Sequence, residues 1–160
     1  MRLARSACAR TYASRRVLSF RRRLWLKLAA NAVLNPLTAL WDVQNGEVLR
    51  RPEGREISQS VCEELWSVMQ DQAISPLAHE LTVGDLTDFV SECAEANALN
   101  YSSMCMDVRH GRRTEIEQLN GWIERLSHTL HAGGKPLSTA THWLGKNAEL
   151  AAAIRRRGED

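Results

Sequence analysis

The stretch Leu24–Asn45, LWLKLAANAVLNPLTALWDVQN, constrains this chain most. Lys27, Asn31 and Asn35 recur every fourth residue, so a helix stacks an ammonium and two carboxamides along one face. Leu26, Leu28, Val33 and Leu34 are assigned to the other side, where they hold the segment against a core. Pro36 has no backbone N–H and its ring crowds the preceding turn, which predicts a kink or an end just after Asn35. Two readings fit this pattern: polar groups gathered at a break in a buried helix, where a ligand can meet them, or a solvated stripe on an ordinary amphipathic helix.

Downstream, every patterned segment is helical. Asp42–Gly54 reads as turn and loop, with Asn45-Gly46 as a dipeptide tolerant of a left-handed backbone. A second helix is predicted over Ser58–Gln72, with Val61, Leu65 and Val68 or Met69 inward, before Ser75-Pro76 interrupts. Thr82 with Asp85 three residues on forms a capping box for a helix through Leu86, Phe89, Val90 and Cys93. That helix extends, with a break, into Asn100–Met104 and stops at Gly111. Thr114 and Glu117 suggest another capping box for a helix through Leu119, Trp122, Ile123 and Leu126, ended by Gly133-Gly134 and Pro136. A last helix spans Ser138–Arg157 with Trp143, Leu144, Leu150 and Ile154. Five helical segments without alternating strands predict an all-α helical bundle.

Charge is unevenly spread. Residues 1–23 hold eight arginines and no acid, which leaves 13 basic against 19 acidic residues, net −6, in the remainder. The body therefore lacks the concentrated basic face that nucleic acid requires. The Arg-, Ala- and Ser-rich start has the composition of a mitochondrial transit peptide, and equally that of a mistaken start in GC-rich DNA. On either reading residues 1–23 are a leader outside the core, and residues 24–160 form one domain. Cys8, Cys62, Cys93 and Cys105 make no CxxC pair, and His128 and His131 gain no further metal ligands, so no metal site is expected. The isolated cysteines fit a reducing compartment, the cytoplasm or, if the leader is a presequence, the mitochondrial matrix. No apolar run is long enough to cross a bilayer.

Two further sites carry chemistry. Ser102-Ser103 precede Met104 and Met106, with Asp107 four residues after Ser103, and serve equally as a helix cap. Glu115 is expected in the first turn of its helix, where the positive helix end favours a carboxylate that an ammonium such as Lys27 can pair with. Acids are also simply common in first turns.

KLAANAVLNPLTAL, then NGEVL, then NALNYSSMCMDVRHGRRTEIEQLNGWI together resemble the C-terminal domain of the ketopantoate reductase (2-dehydropantoate 2-reductase) family. The resemblance covers Leu24–Arg125, with a weaker continuation. It implies an all-helical substrate domain, related to that of 6-phosphogluconate dehydrogenase, working with a Rossmann domain that binds NADPH. It implies that Lys27 is the catalytic lysine and Glu115 the catalytic-site glutamate. It likewise implies substrate-binding roles for Asn31, Asn35, Asn45, Asn100 and Ser103. The substrate implied is a small 2-keto acid, ketopantoate, reduced to pantoate for pantothenate synthesis.

Those residue types suit the reaction. Negative charge develops on the carbonyl oxygen during hydride delivery, and a nearby ammonium donates first a hydrogen bond and then a proton. Neutral Asn and Ser side chains bind carboxylate and hydroxyl without competing with the lysine. The departure is that no GxGxxG turn or βαβ unit occurs in the sequence. The GGKPLST segment at Gly133–Thr139 also differs from the family's usual loop. The chain is therefore expected to be inactive alone and to need a separate nucleotide-binding chain, or to pair as a homodimer. The alternative is a non-catalytic helical interaction module.

Overall fold

The computed structural model describes residues 2–70, 81–132, 152–154 and 156. Among them are six helices and no strand: α1 (Arg2–Trp41), α2 (Asn45–Val48), α3 (Pro52–Met69), α4 (Val83–Ala96), α5 (Ser103–Arg109) and α6 (Asn120–Ala132). The all-α expectation holds. Helix α1 is the axis of the body and packs against α2, α3, α4 and α5, while α3 also meets α4 and α6.

Pro36 does not end α1, contrary to the sequence expectation, since the helix runs on to Trp41. The carbonyl that Pro36 leaves without its helical donor belongs to Ala32, four residues earlier. The fully buried Asn120, at the start of α6, donates from Nδ2 to that carbonyl at 2.9 Å. A side chain from another helix thus supplies the missing N–H, and α1 stays continuous through its proline.

The core has two parts, both touched by α1. Ala29, Val33 and Leu37 meet Val61, Leu65, Val68 and Met69 of α3, Leu86 and Val90 of α4, and Ile123 of α6. Beyond Pro36, Ala39 joins Met104, Cys105, Ile116, Leu119 and Ile154 in a second cluster. The inward positions expected for α3 are thus buried, as are Leu86 and Val90 of α4, whereas Phe89 and Cys93 are half-buried; the Trp122 ring lies tilted by 41° to that of Trp25, centroids 6.1 Å apart. Burial also pushes the Cys62 thiol up to about 12, so this side chain serves only as packing.

Four boundaries differ from the sequence reading. Helix α3 starts at Pro52, whose fixed φ and missing N–H suit a first turn, and it ends at Met69. Asn45-Gly46 is not a left-handed turn: it opens α2, and Asp42 takes the positive φ of 55° instead. Thr114 caps no helix, because α6 begins at Asn120 after a series of tight turns. Glu115 therefore does not sit in a first helical turn, and the helix-end argument does not apply to it. The Thr82–Asp85 capping box forms as expected, and Gly111 follows α5 with a φ of 63°. Helix α1 crosses the expected leader boundary, with Phe20–Arg23 exposed and Arg22 paired to Asp85 at 3.1 Å. Ser75-Pro76, Gly133-Gly134, Pro136 and most of the last expected helix, including Trp143, Leu144 and Leu150, lie outside the described residues; Ile154 is helical and buried.

Candidate active site

A cleft of about 540 Å³ runs beside α1 and is closed opposite by α4 and the segment leading into α5. Its α1 wall carries Arg23, Lys27, Asn31 and Asn35, each four residues from the next, with Ala30 and Leu34 between them. Leu34 lines the cleft and is at the same time buried in the core, as expected. Asn45, Asn97 and Ser102 add polar groups, and Phe89 and Cys93 of α4 complete the lining. Among the described residues no aspartate or glutamate lines this cleft, and the charged groups they bring to it are two cations.

The polar groups are held firmly. Asn35 is buried, and its Nδ2 donates to Glu115 Oε1 at 3.2 Å. Asn45 is pinned by its own N–H to Asn100 O at 2.9 Å and by Nδ2 to Asn97 O at 3.2 Å. Gly46 permits that approach: a Cβ there would lie 2.7 Å from the Ala98 Cβ and 3.0 Å from its Cα. Ser102 caps α5 by accepting from Cys105 N at 3.1 Å, and Thr38, two α1 residues beyond Pro36, hydrogen-bonds its Oγ at 2.6 Å. On the far side, Arg109 donates to Asp42 at 2.7 Å and stacks on Tyr101 at 3.8 Å, anchoring α5 to the end of α1.

Of the sequence-expected residues, Lys27, Asn31, Asn35 and Asn45 meet in the cleft. Asn100 and Ser103 are exposed and do not line it; Asn100 contributes through its backbone carbonyl, and the buried serine in that position is Ser102. Glu115 is exposed and reaches the polar line at its Asn35 end, with no ion pair to Lys27 among the described residues. Arg23 and Asn97 were missed by the sequence reading, and of the Ser102-Ser103 pair the substrate-binding role was expected of Ser103. Arg23 had a legible signal, since it continues the four-residue spacing one turn before Lys27. Asn97 had none, because its place depends on the break after α4.

The family model for the ketopantoate reductase PanE/ApbA C terminal matches residues 19–140. The chain belongs to this family. A 2-dehydropantoate 2-reductase of Shigella flexneri is 38% identical over 131 residues, 82% of this chain and 40% of the relative. One from Archaeoglobus fulgidus is 40% identical over 101 residues, 63% of this chain and 32% of the relative. Among solved structures, a PanE/ApbA family ketopantoate reductase from Ralstonia eutropha superposes with a TM-score of 0.68 at 27% identity, over 86% of this chain and 41% of that one. A D-mandelate dehydrogenase solved with NADH and anilino(oxo)acetate gives 0.69 at 21% identity, over 84% of this chain and 40% of that one, a likeness of fold. The chain spans about two-fifths of the length of the Shigella relative.

Proposed function

We propose that this chain is the substrate-side domain of an NADPH-dependent 2-dehydropantoate 2-reductase, with Lys27 as its proton donor. The observation that carries the reading is the convergence of Lys27, Asn31, Asn35 and Asn45 on one cleft of ligand size, lined by no acid among the described residues. A keto acid entering it meets the ammonium of Lys27 at its carbonyl oxygen. As that oxygen gains negative charge, the ammonium stabilises it and then passes it a proton. Asn31 and Asn35 orient the rest of the substrate by directional hydrogen bonds, with Ala30, Leu34 and Phe89 against its carbon skeleton. Glu115 acts at the Asn35 end, where it fixes the amide so that its carbonyl and remaining N–H serve the ligand. Asn100 and Ser103 border this site from outside the cleft wall.

The described residues do not fit a dinucleotide: they include no strand leading through a glycine-rich turn into a helix. A nicotinamide would be held by another domain and would bring the hydride, while the residues described here bind, orient and protonate. To test this, join a ketopantoate reductase nucleotide-binding domain ahead of Ser19, where the family match begins, and follow NADPH oxidation with ketopantoate. The fusion should turn over at about 1 per second or more, and the 160-residue chain by itself should not. A fusion that binds NADPH yet shows no ketopantoate-dependent oxidation refutes the reading.

A further inference from the structure

We propose that Arg23 is the anion anchor of the α1–α4 cleft, gripping the carboxylate of a 2-oxo acid whose carbonyl oxygen faces Lys27; the choice of a 2-oxo acid rests on the reductase reading above. Arg23 lines the cleft one helical turn before Lys27. Its neighbour Arg22 is neutralised by Asp85 at 3.1 Å, whereas among the described residues Arg23 meets no acid. Two cations four residues apart on a helix repel, and an anion held between them removes that penalty. Among the described residues every other lining side chain is uncharged, and the acid that touches the wall, Glu115, does so at Asn35, about three turns of α1 from Arg23.

The chemistry divides cleanly between the two cations. In a 2-oxo acid the carboxylate is bonded directly to the carbonyl carbon, so its oxygens and the carbonyl oxygen lie side by side. A guanidinium binds a carboxylate through two parallel N–H bonds, and an ammonium is a compact donor suited to a single oxygen. With Arg23 on the carboxylate, Lys27 keeps its protons for the carbonyl, and Asn31 and Asn35 take the far end of the molecule. The same reasoning predicts that a neutral amide or ester of the substrate is a poor ligand.

Cys93 provides a reporter inside the cleft, since the other described cysteines, Cys62 and Cys105, are buried. Using the full chain, compare alkylation of Cys93 by anionic iodoacetate and neutral iodoacetamide, read by peptide mass spectrometry. The wild type should favour iodoacetate relative to a free thiol. Arg23→Gln should cut that preference about tenfold, the scale of local electrostatic concentration in a charged cleft. Arg23→Lys should restore part of it, and Arg22→Gln should leave it unchanged. Ketopantoate, but not its amide, should protect Cys93 in the wild type and lose that effect in Arg23→Gln. An anionic preference that Arg23→Gln leaves intact overturns the proposal, whatever the chain's function. A preference lost with Arg23, while ketopantoate fails to protect even the wild type, supports the anion anchor and counts against the reductase reading instead.

Discussion

The continuity of α1 through Pro36 is attributed to a single side chain, and a double-mutant cycle isolates that claim. Asn120→Ala deletes the Nδ2 donor 2.9 Å from Ala32 O, in a site where Asn120 has no exposed surface. A buried carbonyl left unsatisfied costs about 1–3 kcal/mol, and the emptied space adds to it, so a total near 2–3 kcal/mol is expected. In a Pro36→Ala background the new backbone N–H at position 36 serves the same carbonyl. There Asn120→Ala should cost only about 1 kcal/mol, chiefly the lost packing. The expected coupling is therefore about 1–2 kcal/mol, well outside the scatter of about 0.5 kcal/mol for independent sites. Urea titrations followed by far-UV circular dichroism measure all four proteins, provided the slopes stay equal. If Asn120→Ala costs the same in both backgrounds, Asn120 does not replace the proline's missing donor.

Two further outcomes follow from the packing and the caps. Gly46→Ala places a Cβ 2.7 Å from the Ala98 Cβ, so despite alanine's better helix propensity it should lose about 1–3 kcal/mol in a urea titration; a stabilised variant would contradict the close approach that positions Asn45. The Asp85 carboxyl is held below its ordinary value by hydrogen bonds from the Thr82 side chain and backbone, and then by Arg22. Its contribution is complete above the unfolded carboxylate value of about 3.9 and is lost as pH falls through the lower folded value. Thr82→Ala should cost about 1 kcal/mol at neutral pH, and the gap to wild type should narrow in acid below about pH 4; a gap that widens there would refute the capping account.

The helices with strong apolar periodicity were legible because burial follows period directly, as at Val61, Leu65, Leu86 and Val90. What escaped were features decided across the chain. The fate of Pro36 rests on Asn120, 84 residues away, and no local rule weighs that partner. Asn45-Gly46 has the composition of a turn, yet its glycine is needed for contact with Ala98. Thr114 and Glu117 carry the letters of a capping box, but the chain between them makes tight turns and α6 starts later. The cleft's α1 wall was readable from a four-residue spacing, whereas Ser102 and Asn97 enter it only through the α4–α5 break.

The central claim is that Lys27 delivers the proton to the reduced carbonyl. Its most direct measurement is kcat for Lys27→Ala in the fusion that carries a nucleotide-binding domain, with folding checked by circular dichroism. Lys27 is exposed at the cleft wall, so the substitution should leave stability nearly unchanged. Loss of general acid catalysis should lower kcat about 100- to 10,000-fold. A kcat within about threefold of the unsubstituted fusion, far short of the effect general acid catalysis normally has, would contradict the account.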